Sequence, residues 1–147
     1  MCIRVLIVDD QPRSRRSLKA LLTVLSWNTP SRADQQPGAG LLSIEMVGEA
    51  ENGREAIEQV QQLQPDVVVM DLHPAAVSGS GSAAGPATEP RMDGVATIQM
   101  IKSRWPAIRI VVLTMYATDR VAVLAAGADA FLLKGCSTSE LLQALIP

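Results

Sequence analysis

The chain alternates between two kinds of hydrophobic pattern. Residues 3–10, IRVLIVDD, form a continuous aliphatic run that ends in two acids. Such a run reads as a strand covered on both faces, as in a parallel sheet. Pro12 follows where it suits the first turn of a helix, and Leu18, Leu21, Leu22 and Leu25 recur at helical spacing through Ser26. The alternation then repeats. Residues 43–50, SIEMVGEA, predict a second strand, and Asn52 is placed to cap a helix with Ala56, Ile57, Val60 and Leu63 on its apolar face. Residues 65–71, PDVVVMD, predict the third strand, and the pattern from Gly94 predicts a third helix stopped near Pro106. Residues 108–114 predict the fourth strand, and 118–127 a short helix closed by Gly127. Residues 130–134 predict the fifth strand, and 137–146 the last helix, with Ser137 or Ser139 near its start.

Strands alternating with helices predict the α/β class: a doubly wound, five-stranded parallel sheet between two helical layers. The 147 residues suffice for one domain with a sizeable core and not comfortably for two. The expectation is a single domain over 1–147, interrupted by long loops at 27–43 and 74–89. The second loop is rich in Gly, Ala, Ser and Pro and stands directly after Asp71. Ligands of such sheets sit beyond the carboxyl ends of the strands. The residues delivered there are Asp9 and Asp10, Asp71, Thr114 and Lys134.

Composition narrows the partners. An apolar content of 48% excludes a mainly disordered chain, and aromatics at 3% require an aliphatic core. A formal net charge of -2 makes no electrostatic case for direct nucleic-acid binding. Arg13, Arg15, Arg16 and Lys19 cluster locally and read as a solvated helix face. Cys2 and Cys136 form no CxxC, and only one histidine could join them, which argues against zinc. A reduced, cytoplasmic protein is expected. The N-terminal apolar run meets acid at once, unlike a signal peptide, and no run approaches membrane-spanning length.

Clustered carboxylates repel one another and invite a hard divalent cation, and magnesium takes one or two carboxylates, a carbonyl and waters. Asp10, Asp71 and a carbonyl just after Asp71 could supply them. An aspartate beside such a cation is a candidate nucleophile towards phosphorus. Lys134 would balance the added charge, and Thr114 would hydrogen-bond a phosphoryl oxygen. Each residue alone has an ordinary explanation as a cap, a strand end or a solvated cation. Their convergence from four strands on one edge gives the reading its weight.

The stretches VLIVDD, VVVMDL, VVLTM and GADAFLLKG resemble the receiver domain of two-component response regulators. The resemblance covers nearly the whole chain outside the two long loops. The wording VGEAENGREAI, VVLTMYA and FLLKG is most similar to the class that carries a LuxR-type helix-turn-helix output domain. The resemblance implies a flavodoxin-like, CheY-like fold. It implies that Asp71 accepts a phosphoryl group from a sensor histidine kinase with Mg2+ as cofactor. Asp10 would bind the metal directly, Asp9 through water, and the His73 backbone carbonyl would complete the shell with Asp71. Thr114 and Lys134 would contact the phosphate, and Phe131 would follow Thr114 on activation. His73 and Tyr116 occupy the positions that tune phosphate lifetime. The face formed by 118–146 would carry the output contact or a homodimer, and the role is expected to be transcriptional. Catalysis is expected only on the chain's own aspartyl phosphate.

The chain also departs from the family pattern. Asp71-Leu72-His73 opens the phosphosite motif and Pro90-Arg91-Met92-Asp93-Gly94 closes it, so residues 74–89 stand where the family carries a single residue. Closing a flexible loop grows only slowly in cost with length, so the fold is expected to tolerate this. The span from Thr114 to Lys134 is short for the family, which predicts a truncated fourth helix. Met115 stands where many receivers have a small residue, and Gly135 replaces a common proline. No output domain is expected within the chain, read either as a stand-alone receiver or as part of a longer regulator. The alternative function is a degenerate receiver that binds partners without phosphorylation. A haloacid-dehalogenase-type phosphohydrolase needs an acid two residues after the nucleophile, where His73 stands. A flavodoxin-like cofactor binder needs a Gly-rich loop where Asp9-Asp10-Gln11 stands.

Overall fold

The computed structural model describes residues 2–28, 43–72, 94–114 and 120–146. In chain order the elements are β1 (Cys2–Val8), α1 (Pro12–Asn28), β2 (Ser43–Ala50), α2 (Gly53–Leu63), β3 (Val67–Leu72), α3 (Gly94–Arg104), β4 (Arg109–Thr114), α4 (Arg120–Ala125), β5 (Ala130–Leu133) and α5 (Thr138–Leu145). The five strands form one parallel sheet in the order β2-β1-β3-β4-β5. This is the doubly wound architecture that the alternating pattern predicts.

The core has two halves, one on each face of the sheet. Leu6, Val8, Val68, Met70, Ile110 and Val112 pack with residues of α2, α3 and α4, among them Val60, Ile98, Ile101 and Val123. Ile3, Val5, Ile7, Val67, Val69, Val111 and Leu113 pack on the other face with Leu18 and Leu22 of α1 and Leu141 and Leu145 of α5. Odd and even positions of one strand therefore serve opposite layers, which is why the central residues of β1, β3 and β4 are aliphatic on both faces. Almost every side chain named here is under a tenth exposed. Full burial of each Val, Leu or Ile contributes roughly 1.5–3 kcal/mol.

Local signals end the helices. Asn52 Oδ1 accepts from the Glu55 amide at 2.9 Å, and the Glu55 carboxylate accepts from the Glu51 amide at 2.7 Å. Ser137 caps α5 in a reciprocal box with Glu140. Gly127 ends the α4 segment at φ +116, a conformation L side chains rarely adopt. Within the described residues the fourth helix spans Arg120–Ala125. β2 lies at the sheet edge and carries an irregularity where its register shifts opposite Val5 and Leu6. The thiols of Cys2 and Cys136 are both free. No described helix is long and apolar enough to cross a membrane.

Candidate phosphoacceptor site

The strand register assembles the site. Val8 pairs with Met70, so the next positions, Asp9 and Asp71, come level at the carboxyl edge of β1 and β3. Leu72 pairs with Thr114, and Thr114 pairs with Leu133. Lys134 follows directly, and its amide donates to the Thr114 carbonyl at 2.7 Å. Four adjacent strands thus bring Asp9, Asp71, Thr114 and Lys134 to one edge, with three of them almost wholly buried: Asp9, Asp71 and Thr114.

Lys134 Nζ makes an ion pair with Asp71 Oδ2. The Asp71 carboxyl has its pKa raised to about 6, chiefly by burial. The hydrogen bond from Lys134 lowers it, and the neighbouring Asp9 carboxylate raises it. At neutral pH Asp71 is therefore mostly ionised but poorly solvated, a condition that favours both a cation and a reaction that spreads its charge.

Asp9 and Asp10 differ in their surroundings. Asp9 is buried against Asp71, and its Oδ1 accepts from the Gln11 amide at 2.9 Å. The Asp10 side chain is exposed in the turn that leads into α1. The donor set fits a small hard cation: two neighbouring buried carboxylates are the number that magnesium commonly takes, with waters for the rest. Among the described residues, no three acidic, histidine or cysteine side chains converge as a ready-made metal cluster. Phe131 on β5 pairs with Val112, is half-buried, and packs on the α2–α4 side of the core. His73, Tyr116 and Met115, like residues 74–89, lie outside the described residues.

One residue departs from the sequence reading. Arg13, Arg16 and Lys19 are exposed, as a solvated face requires, but Arg15 is not. Its side chain is only 13% exposed, and its Nη1 donates to the Asp9 carbonyl at 2.8 Å. Sequence alone could not separate Arg15 from its basic neighbours. The available signal was phase: Arg15 stands one turn before Lys19 and three residues before buried Leu18, at the margin of the apolar stripe.

Comparison with known proteins agrees with this geometry. Residues 90–146 match the family model described as the response regulator receiver domain. That match begins at Pro90, where the family wording resumes after the long loop. The response regulator protein VraR of Staphylococcus saprophyticus is 30% identical over 147 residues, covering 99% of this chain and 56% of that protein. A protein-glutamate methylesterase/protein-glutamine glutaminase of Alkalilimnicola ehrlichii is 33% identical over 137 residues, covering 91% of this chain and 27% of that protein. The chain thus spans about half or less of these relatives. A LuxR-family two-component response regulator from an Aurantimonas species superposes with a TM-score of 0.66 at 26% identity, covering 97% of this chain and 81% of that one. The response regulator domain of Thermotoga maritima CheB superposes with a TM-score of 0.64 at 25% identity, covering 99% and 94%. With the fold, the strand-edge residues and these likenesses in agreement, the chain belongs to the response regulator receiver family.

Proposed function

We propose that this chain is a working phosphoacceptor in two-component signalling, a single receiver unit over 1–147 that takes a phosphoryl group on Asp71 from a sensor histidine kinase. The observation that carries this reading is the buried Asp71 carboxylate held by Lys134 beside Asp9. In the transfer, an Asp71 carboxylate oxygen forms a bond to phosphorus while the phosphorus–nitrogen bond to the kinase imidazole breaks and the imidazole leaves. Asp9, Asp10, Asp71 and the His73 carbonyl would hold Mg2+. When bound, Mg2+ supplies positive charge that offsets the phosphoryl oxygens. Lys134 moves from the carboxylate towards the new phosphoryl group, and the Thr114 hydroxyl donates to one of its oxygens. Phe131 then follows Thr114, and His73 and Tyr116 set how long the adduct lasts.

The output is a population shift between two conformers. It acts through the 118–146 face on a partner, an output domain or a second copy, and controls transcription in the cytoplasm. Val121, Leu124 and Leu133 are exposed on α4 and β5, which supports an apolar contact there. The test is intact mass after incubation with acetyl phosphate and Mg2+, for the parent and for Asp71→Asn. The expected result is one phosphoryl adduct on the parent and none on the variant. No adduct on a folded parent would favour the degenerate, phosphorylation-independent interaction module.

A further inference from the structure

Arg15, near the start of α1, is held where three other segments meet. Its Nη1 donates to the Asp9 carbonyl at 2.8 Å, and its Nη2 lies 3.4 Å from Glu51 Oε1. The Asp9 amide donates to the Ala50 carbonyl at 3.0 Å, which ties the same residue's backbone to the end of β2. The Glu51 amide is in turn fixed by the Glu55 carboxylate in the first turn of α2. The end of β1, the end of β2 and the starts of α1 and α2 therefore converge on the Asp9 backbone. Arg15 is the side chain that bridges them.

From this we infer that Arg15 is a positioning residue for the acidic pair, acting on Asp9 and Asp10 through the main chain. The inference rests on the proposed magnesium-dependent reading of the site. Asp9 reaches the site from a peptide just beyond the last paired residue of β1. Past that point the Asp9 amide is held by the Ala50 carbonyl, and the Asp9 carbonyl, which leads into Asp10, is held by the guanidinium of Arg15. The guanidinium suits the task because its fork can serve a carbonyl and a carboxylate together. Groups that orient metal ligands without touching the metal typically cost 10–100-fold in affinity when removed.

The sign of the effect separates positioning from charge. Arg15 is a cation bonded to the Asp9 main chain, so by Coulomb's law alone its removal would tighten Mg2+ binding at that acidic edge. A positioning role predicts the reverse. The experiment is calorimetric titration of the full chain with Mg2+ for the parent, Arg15→Ala and Arg15→Lys, with thermal unfolding in EDTA as the control for folding. The expected result is an affinity about 10-fold weaker for Arg15→Ala, with Arg15→Lys between it and the parent. Lysine keeps the charge but cannot hold both acceptors in one plane. Where Arg15→Ala fails to fold, Arg15→Lys carries the test, and a Lys variant equal to the parent overturns the assignment. A folded Arg15→Ala that binds within threefold of the parent, or tighter, also overturns it. A parent chain that binds no Mg2+ overturns the proposed function and this assignment together.

Discussion

Lys134 and Asp71 form an ion pair whose two ends sit in different media: the lysine side chain is 31% exposed and the aspartate side chain 3%. Truncating the lysine would leave the carboxylate buried without its cation, while truncating the aspartate would return the lysine to water. The pair is asymmetric, and the variants should be too. Lys134→Met should raise the Asp71 pKa further, because the main influence holding it down is the Lys134 hydrogen bond. It should also cost roughly 1–3 kcal/mol near neutral pH. Denaturant unfolding at pH 7.5 reads the stability. Intact mass after acetyl phosphate reads the function, with adduct formation expected to fall at least tenfold for loss of a charge-stabilising contact. A variant that is phosphorylated at the parent's rate would remove Lys134 from the mechanism.

The raised pKa of Asp71 makes stability depend on pH in a defined direction. The folded state holds this proton up to about pH 6, whereas the ordinary value is 3.8. The stabilisation is fully present below about pH 4 and is lost as pH rises through about 6. Asp71→Asn has no proton to lose, so in EDTA its stability relative to the parent should grow from pH 4 to pH 7. The gap should reach about 1–3 kcal/mol. Thermal unfolding of both chains across that range measures it, and a pH-independent gap would contradict the shifted carboxyl.

Two glycines with positive φ should respond differently to alanine. At Gly127, φ is +116 and an added Cβ would lie 3.1 Å from Lys102 Cγ. That lysine cannot easily retreat, because its Nζ is bonded to Asp129 and to the Pro106 and Ile108 carbonyls. At Gly135, φ is +93 and, among the described residues, nothing lies within 4 Å of the added atom. Gly127→Ala should therefore cost about 1–3 kcal/mol, and Gly135→Ala about 1 kcal/mol from backbone strain alone. Equal losses in chemical denaturation would mean that the Lys102 contact carries no weight.

The caps offer a local test. Ser137→Ala removes the acceptor for the Glu140 amide, and Asn52→Ala the acceptor for the Glu55 amide. Each should lower stability by about 1 kcal/mol. Ser137 follows Lys134 closely, so hydrogen exchange at Leu141 and Leu142 should rise in its variant. Exchange confined to the parent rate there would place the capping loss elsewhere.

The sequence was most legible where physics is local. The aliphatic runs at β1, β3 and β4 need only their own composition to announce two-sided burial. Asn52 and Ser137 need only a partner three residues away. Gly127 stands where a short helix must end. These signals operate over one or two turns of chain, and the structure agrees with them. Arg15 was the opposite case. Four basic residues within two helical turns looked alike, and only the arrival of the Asp9 carbonyl and Glu51 from other segments distinguished one of them. Asp9 and Asp10 were also inseparable as neighbours in sequence, yet one is buried against Asp71 and the other faces solvent.

By itself, then, the chain's pattern determined the alternation of strands and helices, the parallel sheet and the short list of polar residues at its carboxyl edge. These follow from hydrophobic period and turn chemistry, which act between near neighbours. Tertiary structure decided which of those polar residues meet. The order β2-β1-β3-β4-β5 sets β1 against β3, and so Asp9 against Asp71, across some sixty residues of sequence. Burial then raises the Asp71 pKa, and the end of β5 delivers Lys134 to it. Such contacts depend on how distant segments pack, and their energetics come from the low-dielectric surroundings that packing creates.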